Sequence, residues 1–92
     1  MSDARKAELL MCSTLCNFQL TQGEWADQVF VGQSNASKLR HLLKEVGEII
    51  DAPDDVEEYG DALALLIDAA RKKGIHIAEI IDSMWNKLEK NR

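Results

Sequence analysis

Apolar side chains recur three and four residues apart in four stretches of this sequence, and no stretch shows sustained alternation of apolar and polar residues. Spacing of three and four places side chains on one face of an α-helix, whereas a half-buried strand needs a period of two. The pattern therefore predicts an all-α fold, with helices over residues 3–20, 38–50, 56–73 and 78–90 and a short helical turn over 24–30.

Helix-breaking and capping residues set the limits of the first two helices. Gln22-Gly23 is predicted to interrupt the first helix. Residues 32–37 are predicted to form a loop, in which Ser34 or Asn35 caps the second helix. The side-chain oxygen of such a residue accepts a hydrogen bond from a backbone N–H that the helix leaves unpaired.

The third helix also has recognisable limits. Ala52-Pro53 ends the second helix, because proline disfavours a helical conformation in the residue before it. Asp54 or Asp55 is predicted to cap the third helix, and Gly74 is predicted to follow its end.

The size of the chain predicts association with a second copy. A chain of 92 residues forms one domain, and a domain this small buries only about 60–65% of its unfolded surface. The third helix carries a broad apolar surface, formed by Tyr59, Ala62, Leu63, Leu65, Leu66, Ala69 and Ala70. A surface of this breadth predicts packing on two sides, in a bundle or against another subunit.

The charge distribution limits the partners. A net charge of −5 argues against nucleic-acid binding, which needs a basic surface. Residues 45–61 contain eight acidic and no basic residues, whereas residues 71–92 contain six basic and three acidic ones. This arrangement can bind a metal ion and then an anionic ligand, although solvated helix faces would give the same counts.

Hydropathy and cysteine content indicate the compartment. No apolar stretch of about 20 residues is present, so no membrane span is predicted, and the N-terminal residues lack the pattern of a signal peptide. Cys12 and Cys16 lie four residues apart on a predicted helix, without the further ligands that a zinc site needs. They are predicted to be buried and reduced, and a reducing cytoplasm is the expected location.

Two pairs of acidic residues form the candidate site. Glu45 and Glu48 are three residues apart on the second helix, and Glu58 and Asp61 are three apart on the third. Two antiparallel helices joined by a short turn can face these carboxylates toward each other, and a divalent cation would relieve their repulsion. Oxygen ligands favour Mg²⁺ or Mn²⁺. If Glu48 and Asp61 are solvated, or if Glu58 forms a capping box with Asp55, the acidic residues need no metal.

The acidic segments carry a family resemblance. The stretch Glu45-Val46-Gly47-Glu48, followed by residues 53–61 (PDDVEEYGD), resembles the MazG-like all-α pyrophosphohydrolases, whose signature is EExxE on one helix and ExxD on the next. The wider run of residues 25–92 is similar to the branch of dATP/dGTP diphosphohydrolases. Lys44 stands where the pattern has its first glutamate, a position that need not be a ligand.

The resemblance implies a fold and a set of site residues. The fold is a four-helix MazG-like bundle completed by oligomerisation, with residues 24–92 as the enzymatic domain and residues 1–23 as an additional helix for oligomer contacts. Glu45, Glu48, Glu58 and Asp61 correspond to the metal ligands. The substrate-binding candidates are Asp68 near the nucleotide, Lys87, Asn91 and Arg92 as a basic patch for phosphates, and Trp25 as a base-stacking residue. Asp68 is equally well read as an exposed acid, and Trp25 as a core or interface residue.

The activity implied by the resemblance is hydrolysis between the α- and β-phosphates of a nucleoside triphosphate, which gives a monophosphate and pyrophosphate. Purine deoxynucleotides are the expected substrates, Mg²⁺ the expected cofactor, and a dimer or tetramer the expected assembly. Glu45 or Glu48 would be the general base. The role would be cleansing of the nucleotide pool or, in a phage, reshaping of the nucleotide supply. The alternative is a non-enzymatic helical interaction or regulatory module that retains the fold.

Overall fold

The computed structural model describes the backbone of residues 3–92 and the side chains of residues 13–92. Over this range the chain forms four helices and no strand: α1 (Asp3–Val29), α2 (Asn35–Asp51), α3 (Val56–Lys72) and α4 (Ile77–Asn91). The prediction of an all-α fold is confirmed. None of these four helices combines the length and the apolar character needed to cross a lipid bilayer.

α1 is one continuous helix of 27 residues, so the predicted interruption at Gln22-Gly23 is wrong. Gly23 lies where α1 meets α3, and a Cβ atom at this position would lie 2.5 Å from Cδ and Nε of Arg71. The side-chain amide of Gln22 donates to the carbonyl oxygen of Ala64 at 3.0 Å. The glycine therefore permits a close approach of the two helices and does not end a helix.

α2 begins three residues earlier than predicted, because Ser34 and Ser37 cap it reciprocally. The N–H of Ser37 donates to Oγ of Ser34 at 3.1 Å, and the N–H of Ser34 donates to Oγ of Ser37 at 3.0 Å. Two backbone donors of the first turn are thereby satisfied. Ser34, one of the two predicted caps, is confirmed.

α3 is capped at both ends as the sequence indicates. Oδ1 of Asp55 accepts a hydrogen bond from the N–H of Glu57 at 3.0 Å, so Asp55 is the cap among the two candidates. At the other end Gly74 has a φ of 74°, in the left-handed region that glycine adopts without strain. Its N–H donates to the carbonyl oxygen of Arg71 at 2.9 Å. The predicted C-terminal glycine is confirmed.

The helices pack as two pairs, α2 with α3 and α1 with α4, and α1 joins the pairs. α2 and α3 form an antiparallel hairpin closed by residues 52–55, and α1 packs on both α4 and α3. The buried core lies between α1, α3 and α4, and consists of Ile67, Ile77 and Ile81 with Leu15, Cys16, Ile80 and Trp85 packed against it. Leu15 and Cys16 therefore contribute to the core of their own chain. The assignment of residues 1–23 to oligomer contacts stays a prediction, and the side chain of Cys12 lies outside the described residues.

The hairpin of α2 and α3 leaves an apolar face uncovered. Eight large apolar side chains, each 38% to 81% exposed, follow the two helices with spacings of three and four residues: Leu39, Leu43, Val46, Ile50, Val56, Tyr59, Leu63 and Leu66. We call this set the hairpin stripe. The radius of gyration of 14.7 Å also exceeds the value of about 12 Å expected for a compact domain of this length. The single chain therefore leaves its bundle incomplete.

Candidate active site

Three glutamates meet near the turn that joins α2 to α3. One carboxylate oxygen from each of Glu45, Glu48 and Glu58 lies within 4.8 Å of the corresponding oxygens of the other two. Glu45 is buried, and the other two side chains are half-buried. The three-residue spacing on α2 and the antiparallel pairing with α3 bring them together as the sequence predicted. We call these residues the glutamate cluster.

Among the described side chains, no lysine or arginine forms an ion pair with the glutamate cluster. Oε2 of Glu45 and Oε2 of Glu58 are both buried, and neither accepts a hydrogen bond from a described residue. Nε2 of His41 lies 3.3 Å from the other oxygen of Glu45, but this imidazole is largely exposed. A buried carboxylate oxygen without a partner is strongly disfavoured.

Protonation is one response to this electrostatic conflict. Burial raises the pKa of the Glu58 carboxyl, and hydrogen bonding to Glu48 and Glu45 and their negative charges raise it further, from 4.5 to about 7. The cluster can therefore hold a proton close to neutral pH. A divalent cation would provide the same compensation with more charge, and three carboxylates are suitable oxygen ligands for Mg²⁺ or Mn²⁺. The residues present thus fit such an ion.

Asp61 lies apart from the glutamate cluster. It is one helical turn beyond Glu58 and is exposed, and its carboxylate is not among the three that converge. It does line the same cavity as Glu45. Of the four predicted metal ligands the structure therefore brings three together, and the role of Asp61 as a fourth stays a prediction.

A cavity of about 360 Å³ extends from the glutamate cluster between α1, α2 and α3. Its acidic end carries Glu45 and Asp61. Its other residues are Gln22, Trp25, Ala26, Phe30, Lys38, His41, Ala64, Leu65 and Asp68. The volume lies in the range of small-molecule sites, which combine apolar walls with a few polar groups. The cavity thus has a carboxylate end and an end that carries aromatic and basic side chains.

Two aromatic rings form part of the second end. The rings of Trp25 and Phe30 meet edge to face, with centroids 5.3 Å apart and an interplanar angle of 87°. Nζ of Lys38 lies 5.8 Å from the centroid of Phe30. Trp25 is 54% exposed, so it is not a core residue of the single chain. Its proposed contact with a base stays a prediction.

A chain of ion pairs, buried at Lys38 and Asp68, connects this end of the cavity to α1. Nζ of Lys38 lies 2.7 Å from Oδ2 of Asp68, and both side chains are 4% exposed. Nε of Arg71 donates to Oδ1 of Asp68 at 2.6 Å, and its other nitrogens donate to both oxygens of Asp27 at 2.9 and 3.1 Å. The reading of Asp68 as an exposed acid is wrong, because the antiparallel pairing of α2 and α3 buries it against Lys38.

These ion pairs fix the charge states of both acids. Burial alone would raise the pKa of Asp68, but hydrogen bonds from Arg71 and Lys38 outweigh it and lower the pKa. Hydrogen bonds from Arg71 and Lys72 lower the pKa of Asp27 to about 2. Both carboxylates are therefore ionised at neutral pH.

Sequence reasoning missed Lys38, Arg71 and Asp27. A signal for Lys38 was present, because it precedes Glu45 by seven residues and so lies on the same face of α2. The pairing of Arg71 with Asp27 joins residues 44 positions apart, and no local spacing indicates it.

The predicted phosphate-binding residues lie elsewhere in the single chain. Lys87, Asn91 and Arg92 are exposed at the end of α4, which packs on α1 and α3. None of them lines the cavity. Their assignment to the substrate stays a prediction, which within this fold requires the cavity of a second copy.

The fold and the cavity define a class of protein: a small helical domain with a carboxylate site able to hold a divalent cation beside a cavity for a small ligand. Residues 19–92 match the family model of the dATP/dGTP pyrophosphohydrolases. Because this match covers most of the chain, the chain belongs to that MazG-like family, which is a family of hydrolases. Comparisons with curated proteins and with solved structures gave no significant match.

Proposed function

We propose that the chain is a Mg²⁺-dependent pyrophosphohydrolase that cleaves purine deoxynucleoside triphosphates, such as dGTP and dATP, between the α- and β-phosphates. The products are a nucleoside monophosphate and pyrophosphate. One structural observation carries the proposal: the glutamate cluster has two unpartnered buried oxygens, and its member Glu45 lines one end of a cavity that bears aromatic rings at the other. Membership of the family supports the reaction type.

The glutamate cluster would hold the ion, with Asp61 as a further ligand from the cavity wall. Mn²⁺ suits the same oxygen ligands. A bound ion supplies charge neutralisation for the triphosphate and lowers the pKa of a coordinated water. Glu45 or Glu48 would then accept the proton of the attacking water, because both carboxylates lie at the site of attack.

The two ends of the cavity would orient the substrate. The triphosphate would lie at the glutamate cluster, where the metal offsets its charge. The base would lie toward Trp25 and Phe30, because aromatic rings provide flat apolar surface for a base. In this arrangement Lys87 and Arg92 would reach the phosphates only from a neighbouring copy.

A second copy would also complete the bundle. The hairpin stripe consists of apolar residues spaced three and four apart on two adjacent helices, which is the pattern that pairs helices in bundles. We propose a dimer or tetramer in which this stripe is buried. A partner on this face leaves the cavity accessible, because no residue of the hairpin stripe lines it.

The direct test is pyrophosphate release from a panel of ribonucleoside and deoxynucleoside triphosphates with Mg²⁺. Glu48→Gln removes a charge of the glutamate cluster, and Asp61→Asn removes the charge of the further ligand. Substitution of a residue that only supports a metal ligand already reduces activity about 10- to 100-fold. A larger reduction is therefore expected when a ligand itself is changed. Glu57→Gln, an exposed neighbour of Glu58, is the matched control and should retain activity.

Full activity in Glu48→Gln and Asp61→Asn would remove the proposed site. The alternative of a non-enzymatic module is favoured by one observation, the exposed hairpin stripe, which could receive a partner helix. Absence of hydrolysis for every triphosphate, together with a melting temperature indifferent to Mg²⁺, would support the module. An enzyme site should raise that temperature when the metal binds.

A further inference from the structure

Lys38 is the basic group at the end of the cavity opposite the glutamate cluster. It precedes Glu45 by seven residues on α2, which places the two side chains on one face and about 10 Å apart along the helix axis. Both line the cavity. With the triphosphate at Glu45, the far end is the place for the base, so Lys38 would face the base and not the phosphates.

The position of the Lys38 ammonium group is fixed by its neighbours. It is bound by Asp68 at 2.7 Å and donates to Oε1 of Gln33 at 3.3 Å. Asp68 is in turn held by Arg71. These contacts hold the ammonium group in one position.

One donor of this ammonium group remains available. An ammonium has three N–H donors and no acceptor. Asp68 and Gln33 account for two of them, and no other described residue accepts the third. Because Lys38 lines the cavity, a ligand can supply the missing acceptor.

We propose that Lys38 donates this hydrogen bond to N7 of a purine base and so favours purines over cytosine. The inference deepens the proposed function and rests on it. N7 is an acceptor in both adenine and guanine, whereas the 6-position is a donor in one and an acceptor in the other. A single remaining N–H therefore matches the one acceptor on this edge that both purines share, whereas cytosine presents only a donor there.

The aromatic rings support this placement. Nζ of Lys38 lies 5.8 Å from the centroid of Phe30, and Phe30 meets Trp25 edge to face. A base in contact with these rings would therefore lie close to the ammonium group, and the proposed hydrogen bond requires its N7 edge to face Lys38. Asp68 accepts bonds from Lys38 and Arg71 and so acts as a positioning residue for the lysine.

The test compares dATP and dGTP with their 7-deaza analogues, in which a C–H group replaces N7. A hydrogen bond from a charged donor predicts that kcat/KM of the wild-type protein falls by about tenfold for both analogues. In Lys38→Met the natural purines should fall to the level of the analogues, and the penalty for 7-deaza substitution should disappear. Rates on dCTP should be unchanged.

Lys44→Met is the matched control, because Lys44 is an exposed lysine on the same helix. In this variant, kcat/KM for the 7-deaza analogues should stay about tenfold below that for the natural purines. Since Lys38→Met leaves Asp68 with one fewer partner, the double variant Lys38→Met/Asp68→Asn removes both charges of the pair and should show the same loss of discrimination. Melting temperatures of all variants establish that they fold.

Three results would overturn the inference while leaving the proposed function intact. The first is equal kcat/KM for natural and 7-deaza purines in the wild-type protein. The second is a reduction for the 7-deaza analogues that persists in Lys38→Met. The third is an equal loss of kcat/KM on purines and on dCTP in Lys38→Met, which would indicate a phosphate contact. A different result would overturn the proposed function: no hydrolysis of any triphosphate.

Calorimetry with dAMP and 7-deaza-dAMP in the absence of metal tests the base contact without catalysis. About tenfold tighter binding of dAMP by the wild-type protein, absent in Lys38→Met, would uphold the base contact even for an inactive protein. Equal binding of the two monophosphates, or binding of neither, would overturn it.

Discussion

Glu45 on α2 and Glu58 on α3 lie 13 positions apart in the sequence, and each buries one carboxylate oxygen that accepts no hydrogen bond from a described residue. The short turn between their helices forces the two acids together. Because the two acids repel each other in the absence of a ligand, the stability of the protein is expected to depend strongly on cations and on pH.

The first prediction concerns Glu58 and pH in the metal-free protein. The folded-state pKa is raised from 4.5 to about 7, so the contribution of this group to stability is fully present below pH 4.5 and is lost as the pH rises through 7. Glu58→Gln mimics the protonated form. It should therefore be more stable than the wild-type protein above pH 7 in the presence of a chelator.

Denaturant unfolding between pH 4.5 and 8 measures this difference, with Glu57→Gln as the control that keeps the wild-type pH dependence. Addition of Mg²⁺ at pH 7.5 should stabilise the wild-type protein more than Glu58→Gln. If the free energy of unfolding depends on pH in the same way in the wild-type protein and in Glu58→Gln, the carboxylates of the cluster do not destabilise each other.

Gly23 provides a second prediction. An added Cβ would lie 2.5 Å from atoms of Arg71, and the ion pairs of Arg71 with Asp68 and Asp27 oppose its displacement. Overpacking typically costs about 1–3 kcal/mol, which exceeds the gain of about 1 kcal/mol from replacing glycine by alanine in a helix. Gly23→Ala should therefore lower the free energy of unfolding.

The matched control is Gly47→Ala on α2, where an added Cβ meets no atom within 4 Å. It should raise the free energy of unfolding by about 1 kcal/mol through helix propensity alone. An equal stabilisation by Gly23→Ala would contradict the close approach of α1 and α3.

Gln19 connects α1 to both sides of the turn between α3 and α4. Its buried amide donates to the carbonyl oxygens of Ile67 and Ile75 at 3.2 and 3.1 Å and accepts from the N–H of Ile77 at 2.9 Å. Gln19→Leu keeps the volume but removes these three buried hydrogen bonds, which should reduce the free energy of unfolding by about 3 kcal/mol. Chemical denaturation measures the loss, and exposed Gln28→Leu should change stability by less than about 0.5 kcal/mol.

The hairpin stripe provides a prediction on assembly. Leu63→Glu places a charge in the middle of the proposed interface and should shift the protein toward a monomer in sedimentation equilibrium. Met84→Glu on α4 adds the same charge at a side chain that is 63% exposed and outside the stripe, and should leave the assembly unchanged. A wild-type protein that sediments as a compact, active monomer would rule out the proposed interface.

Local signals in the sequence were sufficient for the last three helices and for most of the acidic site. Ser34, Asp55 and Gly74 act through backbone groups within a few residues, so local spacing predicts the Gly74 cap and narrows each N-cap to two neighbouring residues. The convergence of Glu45, Glu48 and Glu58 follows similarly from the three-residue spacing on α2 and the short turn before α3.

The remaining features depend on contacts between distant segments. The pairing of Lys38 with Asp68 requires knowledge of how far α2 and α3 overlap, and the sequence pattern permits Asp68 on an exposed face as readily as on a buried one. Gly23 is helical within α1, and the side chain that occupies the space beside it belongs to Arg71, almost fifty residues later. Local propensity alone favours a break at such a glycine.

The continuity of α1 has a mechanical consequence for access to the cavity. The same uninterrupted helix carries Cys16, which packs against the core, and Trp25, which lines the cavity two and a half turns later. A stiff rod cannot fold back at one end as a surface loop does. The wall that bears Trp25 is therefore fixed, and any change in the width of the cavity would come from α2 and α3 or from movement of α1 as a whole.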